Sequence, residues 1–239
     1  MLKEAIEKIQ QMSKDAEVKV IDVNGDKYAT QEIYSVEPKE YRPSKIQVNS
    51  LESIIMLVRK EAVKYTDKNI FVQVEDAKNV SVFTTYDEKN RRDFLYHAKA
   101  DVVDIPVDYW VDKDNLLISI NSVFIQSEDV DYVKELLNRV TEESKVVSTD
   151  NGLGQSVEVN KGIALKDNIQ IRNRVKLRPY RTFIEIEQPE SEFILRADSG
   201  ARFLLKSADG GAWQLKAKES IKAHLEESLR DLESVIIMA

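Results

Sequence analysis

Apolar residues recur along this chain with two different periods, and the order in which the periods change limits the architectures open to it. Helical spacing marks Leu2, Ala5, Ile6, Ile9 and Met12, then Leu51, Ile54, Ile55, Val58 and Ala62. It returns at Val130, Val133, Leu136, Leu137 and Val140, and last at Ala217, Ile221, Leu225, Leu229 and Leu232. Between these stripes the apolar positions alternate, at residues 70–75, 80–86, 94–100, 116–126 and from about 154 to 205. Runs of strands broken by a few long helices, without regular βαβ alternation, predict an α+β fold. The expectation is largely antiparallel sheet with three main helices plus an N-terminal helix, and residues 235–238 as a last strand or packing tail.

Local signals set the boundaries. Asn24-Gly25 between two short β patterns predicts a hairpin with a type I′ turn, because that pair tolerates positive φ. Pro38 and Pro43 bracket a tyrosine-containing loop at residues 37–44, which divides an N-terminal helix-and-hairpin arm (1–44) from a main α+β domain (45–239). Asn49 with Glu52 reads as the cap of one helix, and Ser127 with Glu128, Asp129 and Asp131 as the start of another.

At 239 residues and 42% hydrophobic, the chain has material for one large or two modest domains. It has no cysteine, which excludes disulfides and thiolate chemistry. The charged N-terminus reads as a helix and not as a leader, and no apolar run approaches the roughly 18 residues of a membrane span. A cytoplasmic protein is expected. A net charge of −7 argues against wholesale coating of nucleic acid.

Against that background residues 161–181 reverse sign. Lys161, Lys166, Arg172, Arg174, Lys176, Arg178 and Arg181 face a single opposing Asp167, a local charge of +6. Clustered cations steer phosphates and carboxylates, so Arg172, Arg174, Lys176, Arg178 and Arg181, with Tyr180 and Trp213 available to stack, form the candidate partner-binding surface. Glu185, Glu187, Glu190 and Glu192 follow at once, and cross-strand pairing with them is the competing structural reading.

Other constellations carry less chemistry. His97 and His224 have no sequence-local ligand partner and read as structural. Asp108, Asp112 and Asp114 lack the glycine and distal glutamate of a calcium loop and read as a solvated turn. Glu185 and Glu187 fall on one side of an alternating segment, the spacing of a carboxylate pair and equally of an amphipathic strand. Asp198 or Asp209 followed by Gln214-Leu215-Lys216 loosely fits a metal-dependent nuclease. Gly152-Leu153-Gly154 and Gly210-Gly211 read as tight turns, since neither has a phosphate-loop ending.

Four phrases carry a resemblance: Asp150-Asn151-Gly152-Leu153-Gly154-Gln155, Pro179-Tyr180-Arg181-Thr182-Phe183, Glu187-Gln188-Pro189-Glu190-Ser191 and Ala208-Asp209-Gly210-Gly211-Ala212-Trp213. With Arg92-Asp93-Phe94-Leu95-Tyr96-His97-Ala98, they make residues 46–229 resemble the YfdQ-type proteins of unknown function of tailed phages and prophages. The resemblance implies phage or prophage origin, near early replication and recombination genes, in the cytoplasm of a host cell. It supplies no activity. The expectation is a non-enzymatic binding protein, without a cofactor, for an anionic partner: nucleic acid, a nucleotide signal or a host defence protein. A metal-dependent nuclease or recombination accessory is one alternative, and an oligomeric interaction protein using the N-terminal arm is another.

Overall fold

The computed structural model describes residues 2–15, 18–23, 26–29, 44–65, 68–88, 90–139, 145–150, 155–161, 165–198 and 202–239. The chain divides into two compact units, Met1–Arg42 and Pro43–Ala239. The first contains helix α1 (Leu2–Asp15) and an antiparallel pair, β1 (Val20–Val23) with β2 (Asp26–Ala29), in which Val23 lies opposite Asp26. The expected type I′ turn at Asn24-Gly25 and nearly all of the 37–44 boundary loop lie outside the described residues.

The second unit opens with β3 (Ile46–Val48), α2 (Leu51–Ala62), β4 (Ile70–Val74), β5 (Asn79–Thr84) and β6 (Phe94–Lys99). The α2 cap is Ser50 and not Asn49: its hydroxyl accepts from Ser53 N at 3.2 Å. There follow β7 (Trp110–Asp112), α3 (Lys113–Ser122), α4 (Glu128–Arg139), β8 (Lys145–Asp150), β9 (Gln155–Lys161), β10 (Leu165–Ile171) and β11 (Arg174–Leu177). The unit ends with β12 (Ser191–Ala197), β13 (Arg202–Ser207), α5 (Ala212–Leu229) and β14 (Val235–Met238). The α+β class holds, but α3 is a fourth helix in this unit where alternation predicted a strand at 116–126. Asp112 accepts from Asn115 N at 2.9 Å and caps it, and Leu116 and Ile120, one turn apart, are fully buried.

A five-stranded sheet runs β14-β4-β5-β6-β3, antiparallel except where β14 lies parallel to β4 and β3 parallel to β6. A four-stranded antiparallel sheet runs β11-β12-β13-β7, and a three-stranded one β10-β9-β8.

Two apolar cores result. In one, α2 and α5 bury Leu51, Ile54, Ile221 and Leu225 with Val72, Val80 and Val82 of the five-stranded sheet. In the other, α3 and α4 bury Leu116, Ile120, Val133 and Leu137 with Val175, Phe193, Leu195 and Phe203 of the four-stranded sheet. Each such side chain contributes about 1.5–3 kcal/mol on leaving water.

Candidate anion-binding site

The chain passes between the two cores four times: after Ala100, between Leu177 and Phe183, between Ile186 and Phe193, and between Leu205 and Ile221. Three of these crossings are the phrases around Arg181, Gln188 and Asp209 that the sequence had singled out, and the fold brings them together.

Gln188, almost fully buried, fastens the loop that Arg181 begins. Its Oε1 accepts from Arg181 N at 3.0 Å and Thr182 N at 3.3 Å, and its Nε2 donates to Phe183 O at 2.9 Å and Ile186 O at 3.3 Å. A primary amide is the side chain that can both accept twice and donate twice in this way. Thr182 Oγ1 donates to Ala77 O, which ties the loop to the turn between β4 and β5.

The Arg181 residue is only 6% exposed. Its Nη2 donates to Ser191 Oγ and, at 3.3 Å, to Pro189 O, and stands 4.0 Å from Asp209 Oδ2. The guanidinium lies over the Trp213 ring, 4.0 Å from its centroid. Among the described residues, its Nε is buried without an acceptor and no acceptor meets Nη1. Burial pulls this guanidinium down to about 10, against the opposing pull of Asp209, so it is a cation at neutral pH that is poorly compensated.

Asp209 is itself well supplied. Burial would raise its carboxyl, but donation from Ser191 Oγ and Gly211 N, the Arg181 charge and donation from Ser207 Oγ together hold it below the usual carboxylate range. A folded pKa below the unfolded value near ~3.9 contributes stability above that pH, and the contribution is lost as pH falls through the folded pKa. The stability gap between the native chain and Asp209→Asn is therefore expected to shrink as urea melts are taken below about pH 4. A gap that stays constant there would refute the assignment.

A cavity of about 270 Å³ opens beside this cluster, walled by Lys78, Val103, Asp104, Ile105, Val107, Asp108, Pro179, Arg181, Ser207 and Trp213. Trp213 is in the first turn of α5, whose cap is Gly211 at φ 85°, with no side chain capping the helix. The dipole of such a terminus favours negative charge, and Asp209 already answers it: its Oδ1 accepts from Gly211 N at 3.1 Å and its backbone oxygen from Ala212 N at 3.1 Å.

Of the seven expected binding residues, Arg181 and Trp213 meet in this cavity and the others do not. Arg172 stacks on Tyr132 at 3.8 Å and pairs with Asp129 at 3.1 Å. Arg174 pairs with Glu192 at 2.6 Å, and Arg178 with Glu187 at 3.1 Å and Glu190 at 3.4 Å. Tyr180 is exposed outside the cavity. Lys176 is exposed, and its ammonium has no carboxylate partner among the described residues. Arg174 and Lys176 share the solvent face of the four-stranded sheet with Arg196, Arg202 and Lys206, of which Arg202 pairs with Asp198 and Lys206 with Asp108. The ribbon is thus largely engaged by the chain's own acids, as the cross-strand reading had it. The side chains of Lys161 and Lys166 lie outside the described residues.

Glu185 and Glu187 do not sit on a strand. Residues 184–186 form a turn in which Ile184 is exposed; Glu185 accepts from Leu51 N at 2.7 Å at the start of α2, and Glu187 belongs to Arg178. His97 Nδ1 stands 3.1 Å from Ser81 Oγ, which donates to Glu75 at 2.6 Å. With the serine proton given to the carboxylate, this trio lacks the wiring of a hydrolytic triad. Among the described residues no three His, Asp or Glu side chains gather closely enough to hold a metal ion. No described helix is long and apolar enough to cross a membrane.

Lys78, Asp104 and Ser207 have no signal in the sequence; only the crossings bring them to Arg181. No family model, curated protein or solved structure matches the chain.

Proposed function

We propose that this chain is a non-enzymatic binding protein whose Arg181–Trp213 cavity receives the anionic group of a small ligand of nucleotide class. The observation that carries the reading is the Arg181 guanidinium: buried, cationic, and without acceptors at Nε and Nη1 among the described residues, in the wall of a cavity. A phosphate or carboxylate oxygen reaching Nη1 supplies the missing acceptor, and Lys78 sets a second cation in the wall against the carboxylates of Asp104 and Asp108. Val103, Ile105, Val107, Pro179 and Trp213 offer apolar and aromatic surface for a planar body. The concave shape and the paired state of the surface arginines favour a compact ligand over a long nucleic-acid strand. The likeness to YfdQ-type proteins gives the proposal a phage or prophage setting, in which retaining a nucleotide serves replication or counters a host defence.

The chain has two tryptophans, so Trp110→Phe leaves Trp213 as the sole reporter. Titrating this variant with ribonucleoside 5′-monophosphates, and with inorganic phosphate, is expected to give a saturable change in Trp213 emission. Adding Arg181→Lys should weaken it at least about tenfold, because one ammonium cannot reproduce the planar donor set, while adding Arg174→Gln should leave it unchanged. No response at millimolar nucleotide, or equal affinity in Arg181→Lys, would overturn the proposal.

A further inference from the structure

The N-terminal unit exposes an apolar stripe that the anion site does not use. On α1, Leu2 is 80% exposed, Ile6 48%, Ile9 67% and Met12 62%. Val18, Val20 and Ile21 beside and within β1 are exposed as well. We infer that α1 is a self-association helix, whose stripe packs against the same stripe of a second copy of this chain.

The spacing supports this occupant. Leu2, Ala5, Ile9 and Met12 recur every three and four residues in turn, the a and d positions of a heptad, and Ile6 widens the seam. A heptad seam is complementary to another heptad seam, and a repeat of the same sequence supplies one in register. Charge points the same way. Within α1, Lys3, Lys8 and Lys14 balance Glu4, Glu7 and Asp15, so the helix has no net charge while the whole chain carries −7. The Lys3 and Glu7 positions, and those of Glu4 and Lys8, are four apart, the spacing at which opposite charges support one another along a helix. A neutral seam flanked by such pairs meets its own copy without repulsion. It offers nothing specific to a nucleic acid or to a strongly charged partner. Length adds a further argument: a helix of 14 residues is marginal by itself in water, and burying its stripe is what stabilises it.

So short a seam belongs at the weak end of protein interfaces, and its occupancy depends on concentration. Light scattering on the full chain across roughly 1–100 µM is expected to show the mass rising from 27.4 kDa toward twice that value, as micromolar association requires. The Ile6→Glu/Ile9→Glu double variant should remain at 27.4 kDa and keep the native circular dichroism of the larger unit. Because the chain has no cysteine, an introduced thiol reports its own contacts. Mild oxidation should link Met12→Cys, on the stripe, into a covalent dimer, and Glu7→Cys, on the opposite side, far less. A native chain that stays at 27.4 kDa throughout, whether its stripe is bare or covered by its own larger unit, overturns the inference. So does an assembly that the double variant leaves intact, or equal cross-linking of the two thiols.

Discussion

Gln188→Leu is expected to destabilise the larger unit by about 3–5 kcal/mol, the most that any single polar side chain around the cavity should cost. The amide serves two backbone donors and two backbone acceptors inside one loop. Leucine matches its bulk and meets none of them, and each buried group left unpaired costs roughly 1–3 kcal/mol, less where water reaches it. For a unit of this size the thermal midpoint should fall by about 10 °C. Gln188→Glu makes the comparison sharper: it keeps the acceptors for Arg181 N and Thr182 N but removes the donors to Phe183 O and Ile186 O, so its cost should fall between native and leucine. Because the same loop aims Arg181, both variants should also blunt the Trp213 response to nucleotide. A loss below about 1 kcal/mol for leucine would show that the loop is held by something else.

Phe193→Ala is expected to cost about 3–5 kcal/mol, the range for removing a buried phenyl ring from a core that cannot collapse around the void. Phe193 is fully buried at the centre of the second core, and its ring centroid is 6.0 Å from the Arg181 guanidinium. The informative part is the shape of the transition. Four crossings and the Gln188 loop tie the two cores together, so urea unfolding should remain a single transition with an unchanged slope and a lower midpoint. Two resolved transitions, with the first core unmoved, would mean that the cores unfold independently and that the cavity is a seam between separable bodies.

The long helices were legible because their stripes are strong: α2, α4 and α5 bury the apolar residues that their spacing assigned to one face, save the partly exposed Ala62 and Leu232, with Val140 outside the described residues. Helix α3 was not, since Leu116, Ile118 and Ile120 alternate and Leu116 and Ile120 are also one turn apart; β-branched residues favoured the strand reading, and core contact decided against it. Residues 184–187 alternate too, yet Gln188 folds them into a turn. The positive ribbon was visible as charge, but its neutralisation was not. Asp129, more than forty positions from Arg172, becomes a neighbour only when α4 packs beside β11, and Glu192 meets Arg174 only through the β11–β12 register. The phrases around Arg181, Gln188 and Asp209 are distinctive in the sequence, but their order along the chain does not say that they meet. What periodicity cannot convey is that a chain returns to the same place several times.

That return has a temporal meaning. The buried residues of the second core lie at 116–205, with Ile105, Val107 and Val111 packed against them, nested inside a first core whose edge strands, β3 and β14, lie almost two hundred positions apart. On a ribosome, the nested portion emerges whole while its host is still missing α5 and β14. It has every contact it needs to form early, whereas the five-stranded sheet must wait for its last edge. The cavity is completed only by Trp213, so a nascent chain lacks its full wall until synthesis has passed that residue.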